Sequence, residues 1–86
     1  MPEISRFYGI VIKIYFGDHL PPHFHAEYGS AEGLWSIETI RMFAGKLPPR
    51  ATALIAEWGS LHQAELRRAW DQAKNLKSPN TIEPLP

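Results

Sequence analysis

The amino-acid sequence predicts an α+β fold: an antiparallel sheet of three to four strands packed by a long C-terminal amphipathic helix, kinked near Gly59. Three observations carry this expectation. Residues Phe7 to Phe16 alternate, with Ile10, Ile12, Ile14 and Phe16 on one side and Val11, Lys13 and Tyr15 on the other, the period-two pattern of a half-buried strand. After Gly17-Asp18 and the helix-forbidding Pro21-Pro22, the run His23-Phe24-His25-Ala26-Glu27-Tyr28 alternates again. From Leu47-Pro48-Pro49 onward the apolar period becomes 3.6, through Ala51, Leu54, Ile55, Trp58, Leu61, Leu66, Ala69, Trp70 and Ala73.

The remaining elements follow from turn chemistry. Gly29-Ser30 closes the second strand and leads to a third near Gly33 to Ile37; a short fourth strand over Ile40 to Phe43 is ended by Gly45. The helical pattern spans Arg50 to Lys74. A straight helix of that length would measure about 37 Å at 1.5 Å per residue, longer than the diameter of about 31 Å expected for a domain of this size. Gly59-Ser60 is the weakest point of the pattern, and Ser60 with Gln63 has capping-box spacing for a second helix. The apolar stripe keeps its phase across it, which favours one kinked helix and predicts that Gly59→Ala stabilises the protein by up to about 1 kcal/mol. The tail 78–86 begins with the turn Ser78-Pro79-Asn80, and its prolines limit it to a short edge strand.

Composition sets the function classes. With 86 residues, 44% of them hydrophobic and 21% charged, the chain is expected to form one globular domain over 1–86. It has no cysteine, so disulfides and thiolate metal sites are excluded. The opening Met1-Pro2-Glu3-Ile4-Ser5-Arg6 lacks the pattern of a secretory signal, and no stretch approaches a membrane span; a cytoplasmic protein without membrane contact is the expectation. Nine Lys+Arg balance nine Asp+Glu, which gives no long-range attraction for nucleic acid. Arg41, Lys46, Arg50, Arg67, Arg68, Lys74 and Lys77 all fall in the second half, leaving room for a local basic patch.

Three of four histidines, His19, His23 and His25, lie within seven residues. On a strand His23 and His25 project from one face about 6 to 7 Å apart, and Glu27 continues their row. Imidazole and carboxylate suit zinc or a similar divalent metal, with His19 or His62 needed to complete a site. The same residues also fit a solvated sheet face, acid-base chemistry or anion recognition. His62 falls within the apolar stripe of the helix and is expected in the core, its ring satisfied by a backbone carbonyl or by a carboxylate such as Glu65. The three tryptophans are expected in the core rather than as a base-stacking platform. There is no Gly-rich phosphate loop, nucleophile elbow or paired-carboxylate motif.

Several stretches together resemble a known family: Pro2 to Gly9, the Asp18 to Tyr28 segment with its Pro-Pro-His-Phe-His, Gly45-Lys46-Leu47-Pro48, Glu57-Trp58 with Leu61-His62, and Ile82-Glu83-Pro84-Leu85. The chain resembles the bacterial domain-of-unknown-function family numbered 4160 over nearly its whole length. The resemblance implies a small prokaryotic protein, often encoded beside another small protein, with a toxin–antitoxin or regulatory role suggested by such neighbourhoods. It marks His23, His25 and His62 as motif positions without a reaction. The leading expectation is therefore a binding or regulatory module with a small protein partner encoded nearby, and no obligatory cofactor. The alternative is a small nuclease or metal-binding protein using the His23/His25 strand.

Overall fold

The computed structural model describes residues 3–86 and consists of a five-stranded antiparallel meander followed by two helices. The strands are β1 (Glu3–Phe7), β2 (Ile10–Lys13), β3 (His23–Tyr28), β4 (Ala31–Ser36) and β5 (Arg41–Lys46), in that spatial order; α1 (Pro49–Leu61) and α2 (Gln63–Lys74) follow. The α+β class and antiparallel sheet agree with the sequence expectation. The sheet has five strands rather than three to four, and the helix is two.

The extra strand comes from the segment Phe7 to Phe16, which is not one strand. The chain reverses at Tyr8-Gly9, whose φ values of 51° and 81° make the two-residue hairpin link between β1 and β2. Tyrosine is an uncommon residue at positive φ, which is why its turn does not show in the sequence. The apolar alternation survives through Ile10, Ile12 and Ile14, all fully buried, but Phe16 lies beyond the end of β2 and is exposed. Gly45 does not end the last strand. It sits inside β5 at φ 85°, where a Cβ would run into the Glu32 carbonyl oxygen, so only glycine fits opposite β4.

The apolar face of the sheet, with Ile10, Ile12, Ile14, Phe24, Ala26 and Trp35, forms the core with the helices. Trp58 of α1 packs on Phe7 and Phe24, with ring centroids 5.3 and 5.8 Å apart. All three tryptophans are buried. The helix break falls at His62, with φ −122° and ψ 25°, rather than at Gly59. The two helices stay joined across it, because His62 N–H still donates to the Trp58 carbonyl and Leu66 N–H to the His62 carbonyl. The expected Ser60–Gln63 capping box is absent: the Ser60 hydroxyl donates back to the Ala56 carbonyl, and Gln63 Nε2 donates to the Ile37 and Glu38 carbonyls.

The tail does not form a strand. It crosses β1 with a single backbone bond, Ile82 N–H to the Ile4 carbonyl at 2.7 Å, and is held by Trp58 Nε1–H on the Glu83 carbonyl and by burial of Ile82 and Leu85. No helix of the described residues is long and apolar enough to cross a membrane.

Candidate metal centre

The site is built on β3, the central strand of the sheet. The two-residue period sends His23 and His25 to the face opposite Phe24 and Ala26. That face is not open to solvent at this end. The loop between β2 and β3 folds back across it, turning at Gly17 with φ 66°, and brings Asp18 between the two imidazoles. The chain then returns to the sheet through Pro21-Pro22, where the Pro22 carbonyl accepts from Ile37 N–H. Side-chain exposure is only 7% for His23, 15% for His25 and 17% for Asp18. Tyr15 meets the His25 ring edge-on at 4.5 Å, and Phe43 and Trp70 approach the His23 ring at 5.9 and 5.4 Å.

One oxygen, Asp18 Oδ2, lies 3.0 Å from His23 Nε2 and 3.0 Å from His25 Nε2. The opposite nitrogen of each ring is anchored. His23 Nδ1 is 2.7 Å from the Pro21 carbonyl oxygen, which can only accept, so the proton is assigned to Nδ1. His25 Nδ1 is 3.1 Å from Glu32 Oε2, also an acceptor when ionised. Both rings therefore turn Nε2 inward. His25 Nε2 has hydrogen-bond geometry toward Asp18, whereas His23 Nε2 approaches as a charge contact only. The second carboxylate oxygen, Oδ1, accepts the His19 backbone N–H at 3.2 Å. Burial pushes the Asp18 carboxyl up. The His25 hydrogen bond, the two imidazoles and the His19 N–H outweigh it and hold Asp18 below its ordinary value.

This arrangement has the outer shell of a metal site already in place. A metal-binding imidazole presents one bare nitrogen and donates its other N–H to a carbonyl or carboxylate, which fixes tautomer and ring orientation. Pro21 holds Nδ1 of His23 in this way and Glu32 holds Nδ1 of His25, so an ion would take the place of the proton that His25 Nε2 shares with Asp18. The three inward donors lie within 4.8 Å of one another, compatible with one ion at the roughly 2.0–2.2 Å distances of zinc to nitrogen and carboxylate oxygen.

Of the residues singled out in the sequence, His23 and His25 come together and the others do not. Glu27 shares their face but forms an ion pair with Lys13 at 3.1 Å. His19 neighbours the site through its backbone, with its side chain 95% exposed and Nδ1 4.0 Å from Asp18 Oδ1. His62 lies on Trp58 and pairs with Glu65, Nδ1 to Oε1 at 2.6 Å, the partner its sequence position suggested. It is half-buried rather than sealed in the core. Asp18 is the residue sequence reasoning missed. Its signal is the spacing Asp-x4-His-x-His across two prolines that force the chain back on itself. The larger concavities, about 510 Å³ beside Lys46, Leu47 and Pro49 and about 330 Å³ between β1, the tail and Glu65, include none of the three donors.

No curated protein and no solved structure matches the chain. A family model, described as a domain of unknown function (DUF4160), matches residues 9–71, a span that contains Asp18, His23, His25 and His62. The chain belongs to that family.

Proposed function

We propose that this DUF4160 protein is a metal-binding module that holds zinc or a similar divalent ion on Asp18 Oδ2, His23 Nε2 and His25 Nε2. The observation that carries the reading is the convergence of two imidazole Nε2 atoms on one carboxylate oxygen while both Nδ1 atoms are held from behind. Asp18 is half-buried, and a dication would compensate its charge without protons on the rings. The nitrogen-rich donor set favours zinc and its neighbours over calcium or magnesium, which prefer oxygen. The nuclease reading has less support, because none of the larger concavities includes the donors.

Calorimetric titration of zinc at neutral pH tests the proposal. One ion should bind per chain, with binding lost in His23→Ala, His25→Ala and Asp18→Asn and kept in His62→Ala. Absence of binding by the wild-type protein at tens of micromolar zinc would sink it.

Partner recognition at the same end is a second reading, favoured by exposed apolar side chains around the centre. Phe16 and Leu20 are 48% and 69% exposed on the Asp18 loop, and Phe43, 51% exposed, touches His23. A regulatory module, including one half of a toxin–antitoxin-like pair, would use such a surface. Co-expression with a small protein encoded beside it, as the family resemblance implies, should give a complex that Leu20→Ser and Phe43→Ser weaken.

A further inference from the structure

Three donors leave a zinc-like ion short of the four it takes in closed sites, and the chain carries a fourth donor whose ring has no other occupation. His19 follows Asp18 directly. Its backbone N–H is fixed on Asp18 Oδ1, the carboxylate oxygen other than the one both imidazoles contact. Its ring is 95% exposed, makes no hydrogen bond among the described residues, and already places Nδ1 4.0 Å from Oδ1. The other remaining histidine, His62, is held by Glu65 and is not one of the clustered donors. We propose that His19 rotates inward when the ion binds and supplies the fourth ligand, converting an open triad into a closed centre of one aspartate and three histidines.

This inference rests on the metal reading and sharpens it. A centre closed by an exposed, rotatable side chain is built for capture and release rather than catalysis. The three inner donors are preorganised, and the fourth loses rotamer freedom only when metal arrives. It also links the ion to the shape of the Asp18 loop, which carries the exposed Phe16 and Leu20.

Cobalt(II) reports the donors of such a centre, because its visible bands change position and shape when a nitrogen ligand gives way to water in the fourth place. Cobalt titrations of wild type and His19→Ala, with His62→Ala as control, should give intense four-coordinate bands and one bound ion for wild type and the control. His19→Ala should bind more weakly by about tenfold or more, since even the loss of an outer-shell partner costs that much, and its bands should shift as water takes the place of the imidazole. Because His19 is exposed, the substitution leaves folding intact. Unchanged affinity and spectrum in His19→Ala would overturn closure by His19 while leaving the triad standing. A cobalt-induced dimer, seen by sedimentation, would overturn it too, by placing the fourth donor on a second copy. No cobalt binding by wild type would defeat the metal reading itself.

Discussion

At the end of β3 two imidazoles and a carboxylate converge, whereas at the α1–α2 junction His62 pairs with Glu65 alone. Both regions set histidine against an acidic side chain at short range. They differ in what backs the rings. On the strand, the period of two aims His23 and His25 in one direction, and a returning loop adds Asp18 from above; carbonyl and carboxylate partners then hold the outer nitrogens. At the helix kink, the i,i+3 spacing of His62 and Glu65 satisfies one ring nitrogen and brings no second donor. Proximity of histidine and carboxylate is thus common to both, and convergence belongs to one.

The largest expected effect separates them directly. An ion that binds only the folded chain stabilises it by about 2.7 kcal/mol at one hundred times its Kd. For a domain of this size that raises Tm by about 10–20 °C. Thermal melts with and without zinc should show this shift in wild type and His62→Ala and lose it in His23→Ala. A shift abolished by His62→Ala would erase the distinction between the two regions.

Next in size is the packing of α1 at Gly59. Gly59 is buried in α1, and a Cβ there would lie 2.7 Å from Ile40 Cγ2. Ile40 is β-branched at φ 52°, and its N–H is held by the Ser36 carbonyl, so it has little freedom to retreat. Gly59→Ala should therefore destabilise the protein by about 1–3 kcal/mol, opposite in sign to the expectation from helix propensity. Adding Ile40→Gly should recover part of the loss by removing both the clash and the strained dihedral. Urea unfolding of the single and double variants measures this, and a Gly59→Ala protein as stable as wild type would refute it.

Acid unfolding probes the strand region without metal. Because Asp18 titrates lower in the folded protein than in the unfolded chain, its contribution is fully present above its unfolded value. It is lost as pH falls through the folded value, in the window below about pH 4. Asp18→Asn should be less stable than wild type above that window and converge toward it below. Parallel stability curves across that range would show that the carboxylate is not held by the imidazoles.

What could be read in the sequence follows the range of the interaction. The period-two row of His23 and His25 and the apolar stripe of the helices are local patterns, and both appear in the fold. Glu27 belongs to the same row, yet Lys13 on the adjacent strand takes it, and only strand register decides that. The solvated-face alternative for the histidines fails for a related reason: Tyr15 and Asp18 from the loop and Trp70 from α2 close over them, and none of these approaches has a periodicity. The turn at Tyr8-Gly9 escaped because tyrosine rarely fills the positive-φ position before such a glycine, and the kink at His62 because it uses neither glycine nor proline. Next to the second, Gln63 is tied to the Ile37 and Glu38 carbonyls by bonds that have no local sequence signature.

The smallest expected effect completes the contrast. His62 and Glu65 are joined by a short contact, but their side chains are 18% and 43% exposed, so solvent screens much of the attraction. Glu65→Gln keeps the size and a hydrogen-bonding carbonyl and removes only the charge. Its cost should stay below about 1 kcal/mol, the range of partly exposed pairs, and zinc affinity should not change. Denaturant unfolding and a zinc titration of the same sample measure both quantities. A stability loss of several kcal/mol would mean that the pair locks the helix kink. A changed zinc affinity would mean that α2, which reaches His23 through Trp70, transmits the state of the kink to the strand. Either result would join two regions that this structure presents as separate.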